Sequence, residues 1–167
     1  MAKLNIVKQG DPVLRKNCRV VTEITPRILN LLDDMVETMR DANGVGLAAP
    51  QVGILRRIVV VECTPGEVYE MINPTIVEMD GSQVGTEGCL SLPGKVGIVE
   101  RPERVTVEAT DRHGNRYSVT GEGLLARCFC HELDHLDGVL YCDVADRMLT
   151  NEEIRELYSE DDEDEDE

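Results

Sequence analysis

The sequence predicts an α+β fold with mixed or antiparallel sheet, on three observations. An amphipathic helix lies in the N-terminal quarter, a second lies close to the C-terminal end, and the stretch between them reads as a succession of strands. At 167 residues one domain is expected, long enough to bury a core. Aromatic residues make up only 3%, with one Phe and no Trp, so that core must be aliphatic, with Met and Cys filling gaps.

Thr25-Pro26 opens the first helix, Thr as cap and Pro at the first helical position. Ile28, Leu31, Leu32, Met35, Val36 and Met39 then fall on one face, and Asp41-Ala42-Asn43-Gly44 ends it. Gly44 to Gly53 holds three glycines and a proline, which suits neither regular helix nor central strand. Arg57 to Cys63 (RIVVVEC) reads as a buried strand. Tyr69 to Met79, Lys95 to Val99 and Arg104 to Thr110 read as further strands. His113-Gly114-Asn115 turns the last of these into Tyr117 to Thr120. The second helix is expected from about Glu122 to Leu136, stopped by Gly138. Thr150-Asn151-Glu152-Glu153 is a capping box that starts a short helix through Tyr158. Residues 1–158 thus form the expected domain. The like-charged run over 159–167 is expected to be a disordered acidic tail.

Charge and cysteine usage exclude some function classes. The net charge is −16, and the eight acids Glu160 to Glu167 carry half of it. An acidic body argues against binding nucleic acid or an anionic membrane through net charge. No apolar run is long enough for a membrane span, and the polar start Met1-Ala2-Lys3-Leu4-Asn5 lacks a secretory signal's apolar stretch. A cytoplasmic protein with its six cysteines reduced is expected.

The chemistry concentrates in His131-Glu132-Leu133-Asp134-His135. On a helix, residues at i and i+4 lie one above the other, so His131 and His135 can share a metal with Glu132 beside them. Leu124 and Cys128 continue that face and supply an apolar wall. A catalytic site needs a third protein ligand and one open position. Asp143, Asp146, Glu152 and Glu153 lie downstream in undistinguished contexts. Glu87-Gly88-Cys89-Leu90-Ser91-Leu92-Pro93-Gly94, with its thiol among glycines, looks more like a site. Cys18, Cys63 and Cys142 read as small core residues, and Cys130 points about 100° away from His131 on the helix.

Three segments together resemble the peptide deformylase family: Gly44-Val45-Gly46-Leu47-Ala48-Ala49-Pro50-Gln51, Glu87-Gly88-Cys89-Leu90-Ser91, and His131-Glu132-Leu133-Asp134-His135. The likeness runs from the N-terminal segment to about Arg147. It implies strands wrapped around a metal-bearing helix and hydrolysis of the formyl group from formyl-methionyl polypeptides. It implies Cys89, His131 and His135 as metal ligands and Glu132 as general acid and base. Gln51 and the backbone N–H of Leu90 match the oxyanion donors, and Gly46 a backbone contact to substrate. Ferrous iron is the implied ion, with Zn(II), Ni(II) or Co(II) able to replace it. Val45, Leu124 and Cys128 would line a pocket for methionine. Position 130 departs from the many relatives that carry Gln before the first histidine. The C-terminus departs further: phosphate would repel its acids, so only transient ribosome contact, not through this tail, is expected. Two other readings use the same helix: a small metalloendopeptidase, and a closed structural zinc site with a fourth ligand such as Cys142.

Overall fold

The computed structural model describes residues 2–165. Helix α1 covers Pro26–Asp41, and Thr25 caps it as the sequence predicts, its side chain accepting from the Ile28 N–H at 3.4 Å. Leu32, Met35 and Met39 on its apolar face are fully buried. Strands β1 (Gly46–Ala48), β2 (Ile58–Val61), β3 (Tyr69–Asp80), β6 (Arg104–Thr110) and β7 (Arg116–Glu122) make one antiparallel sheet in the order β1-β2-β3-β6-β7. The glycine-rich segment therefore does supply a strand, but a three-residue one at the sheet edge. It passes at once into a 3₁₀ turn, Ala49–Val52.

The chain leaves this sheet after β3 through Gly81, whose φ of +70° suits glycine. Strands β4 (Gln83–Cys89) and β5 (Leu92–Arg101) then form an antiparallel pair, joined by the short β8 (Arg147–Met148). A register shift between Glu87 and Cys89 breaks the regular ladder at the end of β4. The chain returns to the first sheet at β6.

Helix α2 (Leu124–His135) packs against strands of both sheets. Nine of its residues are buried, from Ala126 to His135. The gap on β7 is kept by Gly121, where a Cβ would stand 2.7 Å from Leu125 Cγ and 3.0 Å from Phe129. Phe129 and Leu133 pack with Val59, Val61, Met71, Val105 and Val107 of the sheet. A second cluster joins α1 to the other face of the sheet through Ile58 and Val60 of β2 and Ile72 of β3. Short α3 (Tyr141–Val144) and α4 (Asn151–Glu165) complete the chain. The Glu153 carboxylate accepts from the Thr150 N–H, and the Thr150 hydroxyl from the Glu153 N–H, each at 3.1 Å: the capping box read from the sequence. The helical backbone continues past Tyr158 to Glu165, through most of the acidic run; residues 166–167 lie outside the described part. No helix among the described residues is long and apolar enough to cross a membrane.

Candidate metal centre

Two elements build the centre. Helix α2 presents His131, Glu132 and His135, all buried, because both sheets close over that face. The irregular end of β4 brings Cys89 against them, its Sγ 3.5 Å from His135 Nε2. The ligand atoms of Cys89, His131 and His135 all lie within 4.8 Å of one another, the spacing of donors around one ion. Among the described residues Cys142 is not in this group, which shows three protein donors, as a catalytic site has, rather than four.

The surroundings fit a cation. Glu87 Oε1 lies 2.8 Å from His131 Nδ1, which orients the ring and leaves Nε2 as its remaining donor. The Glu87 carboxylate also takes Arg101 Nε at 2.8 Å, Arg101 Nη2 at 3.0 Å and Arg127 Nη1 at 2.6 Å. Burial pushes that carboxyl up, but the bonds from His131 and Arg101 outweigh it and hold it at about 2, so Glu87 stays an anion. Arg101 Nη1 reaches on to Asp134 at 2.8 Å, and Arg127 Nη1 to the Val99 carbonyl at 3.1 Å. Burial lowers the His131 pKa, yet Glu132, Cys89 and Glu87 together push it up to about 10. The same negative field favours a divalent ion at Nε2. Burial, His131 and Arg101 lower His135 to about 3, which keeps its imidazole neutral with a lone pair to donate. Tyr141 stacks on the His131 ring at 5.7 Å.

Glu132 is the odd member. Its Oε1 is buried without a hydrogen-bond partner, and burial pushes the carboxyl up to about 7 against the pull of His131. A buried acceptor left unpaired is costly, and such costs gather where a side chain is held for a task. Gly46 makes room for it: a Cβ there would sit 2.9 Å from both Cγ and Cδ of Glu132. Gly44 plays a similar part for Leu90, whose Cδ1 would lie 2.7 Å from an added Cβ. Gln51, in the 3₁₀ turn after β1, is fixed by its own contacts. Its Oε1 accepts from Ala48 N–H at 3.0 Å; its Nε2 donates to Ser91 Oγ at 3.1 Å and faces Cys89 Sγ at 3.4 Å.

A cleft of about 580 Å³ opens over these groups. Val45, Gly46, Gln51, Cys89, Leu90, Leu124, Cys128, His131 and Glu132 all line it, and His135 lies just behind Cys89. The structure thus brings together the residues that the family resemblance pointed to, and leaves Cys142 and the downstream carboxylates Asp143, Asp146, Glu152 and Glu153 out of the group. Leu124 sits at the rim, 57% exposed, rather than deep in the wall.

The arrangement has close counterparts. Residues 3–151 match the family model for polypeptide deformylase. The chain belongs to the polypeptide deformylase family. A peptide deformylase of Lachnoclostridium phytofermentans is 54% identical over 167 residues, 99% of each chain. One of Agathobacter rectalis is 58% identical over 149 residues, 89% of this chain and 94% of the relative. The crystal structure of the Thermotoga maritima peptide deformylase superposes with a TM-score of 0.83 at 41% identity, over 86% of this chain and 97% of that one. Polypeptide deformylases remove the N-terminal formyl group from nascent polypeptides, and this chain is a hydrolase of that kind.

The sequence reading missed the ionic framework of this deformylase site. Glu87 stands two residues before Cys89, the only hint of a role. Arg101, Arg127 and Tyr141 gave none, because their partners come together only when β4, β5 and α2 meet.

Proposed function

We propose that Cys89, His131 and His135 hold one divalent ion, and that Glu132 moves the protons as N-formyl-methionyl chains are cleaved to formate and a free amine. The mutual distances of the three donors carry this reading. Such an ion supplies Lewis acidity and a nucleophile from water near neutral pH. The donor set, one thiolate and two imidazoles, suits Fe(II), which we assign as the ion in the cell; Zn(II), Ni(II) and Co(II) fit the same donors.

Glu132 lies in the cleft wall with an unpaired carboxylate oxygen, placed to take a proton from water and return it to the leaving amine. The carbonyl oxygen gathers charge as the carbon becomes tetrahedral. Gln51 Nε2, whose contact to the Cys89 sulfur is a weak one, is free to turn that N–H to the oxygen while Ser91 keeps the amide in place. The Leu90 N–H, at the same end of the cleft, is the second donor. Gly46 offers its backbone to the extended substrate from the edge strand β1. Val45, Leu124 and Cys128 line the same cleft and give the methionine side chain an apolar wall.

The partner is the nascent formyl-Met polypeptide in the cytoplasm, met through transient ribosome contact that does not use the acidic C-terminal run. Residues 1–158 form the catalytic domain, and the acids from 159 onward are an appendage to it.

Metal analysis tests the ligand set. Cys89→Ala should drop metal from about one ion per chain to a small fraction while the protein stays folded. Metal retained at the wild-type level in Cys89→Ala would contradict the assignment.

A further inference from the structure

Outside the metal centre, one pair of thiols among the described residues is in contact. Cys63, two residues past the end of β2, and Cys128, on α2, are hydrogen-bonded sulfur to sulfur at 3.1 Å. Nothing in the deformylase chemistry uses this pair. We propose that Cys63 and Cys128 are a dithiol that hydroperoxides convert to a disulfide, a modification site built into the wall of the substrate cleft.

The geometry favours the cross-link. A disulfide needs its sulfurs at about 2.05 Å, so closure asks for roughly 1 Å of movement. Cys63 can supply it, because it is only half-buried and leads into the Thr64-Pro65-Gly66 turn rather than lying inside a strand. Cys128 is held on the helix one turn before Glu132 and lines the cleft. Cys63 is half-buried while Cys128 is buried, so peroxide reaches the Cys63 sulfur first.

The steps balance. The Cys63 thiolate attacks one peroxide oxygen, the O–O bond breaks, and hydroxide leaves to take up the proton that the thiol gave. Cys63 is then a sulfenic acid. Cys128 attacks that sulfur, the S–O bond breaks, and the departing hydroxide takes the Cys128 proton as water. Two thiols are oxidised and one hydrogen peroxide is reduced to two waters.

The cross-link replaces the Cys128 thiol of the cleft wall with a disulfide and fixes the turn after β2 to α2. Its effect on catalysis rests on the reading of Cys128 as part of the methionine wall; the cross-link does not. A wall contact binds ground state and transition state alike, so its loss raises KM and spares kcat. A rise of roughly 3- to 10-fold is expected, about the weight of a partly lost methylene contact.

The test treats zinc- or nickel-loaded holoenzyme with hydrogen peroxide, then alkylates the denatured protein in the presence of a chelator and maps its peptides. The expected product has two alkylatable thiols fewer, a Cys63–Cys128 linked peptide, Cys89 still reduced and metal still bound. Dithiothreitol should reverse the link and the KM change together. Cys63→Ser should keep its basal KM and kcat and form no link. Cys63 and Cys128 both remaining alkylatable, while other thiols oxidise, would overturn the site. A link that forms without moving KM would overturn its consequence for the cleft and leave the deformylase reading intact, since that reading is tested by metal content and formate release.

Discussion

At the scale of single residues, Gly46 shows how a backbone position governs a side chain across the cleft. An added methyl group must displace the Glu132 carboxylate, because the Cβ would fall 2.9 Å from two of its carbons. Gly46→Ala should therefore keep its metal and fold but lose on the order of 10² in kcat, the usual effect of misplacing a reacting group by about 1 Å. Steady-state kinetics with metal analysis on one sample checks this; wild-type kcat in Gly46→Ala would contradict it. The pairing of His131 and His135 was legible in the sequence, because helical spacing alone puts them together. Cys89 was legible only through its company, a thiol between glycines. The job of Gly46 was half legible: a glycine in such a segment signals unusual backbone or close approach, but which atom approaches is a tertiary fact.

Between elements, Glu87 is the residue that ties β4 to β5 and α2, through Arg101, Arg127 and His131. Removing one side of a buried charged network leaves the others unpaired, at a cost of about 3–5 kcal/mol. It also frees the His131 ring, and such orienting partners typically contribute roughly 10- to 100-fold to metal affinity. Glu87→Ala should show both losses, in urea denaturation and in competition with a chelator. Stability and affinity both equal to wild type would show that the network is incidental. Most strands were legible from β-branched runs, and β6 was found to the residue at Arg104–Thr110. Strand β4 was not: Gln83-Val84-Gly85-Thr86-Glu87-Gly88-Cys89 holds two glycines and only two β-branched residues. It is a strand because β5 pairs with it. Residues Asn73-Pro74 inside β3 are accommodated by a register shift. Asn73 adopts φ +51° there, and its side-chain amide bonds both backbone groups of Val21.

For the whole molecule, stability toward acid depends on carboxylates held by arginines on the surface. Glu62, just after β2, receives Arg40 of α1 at 2.8 and 2.9 Å and the Gly66 N–H at 3.0 Å. The Arg40 bond first, then the Gly66 N–H, hold its pKa at about 2, below the ordinary 4.5. A depressed carboxyl stabilises the fold above its unfolded value, and that contribution fades as pH falls from 4.5 toward 2. Arg40→Gln should flatten the fall of the urea midpoint across this window, and an unchanged slope would contradict the pairing. The α+β architecture was legible from the order of elements. Its division into two sheets was not, because the crossing at Gly81 reads in sequence as an ordinary turn. That division lets β4 carry Cys89 to α2, beside His131, Glu132 and His135. The most direct measurement is formate release from a formyl-Met-Ala-Ser peptide by protein purified without oxygen, with metal counted on the same sample. The account predicts cleavage with about one ion per chain, and a loss of roughly 10²- to 10⁴-fold in Glu132→Ala with the ion still bound. Full activity in metallated Glu132→Ala, or no formate from folded wild type supplied with Fe(II), Ni(II) or Co(II), would contradict it.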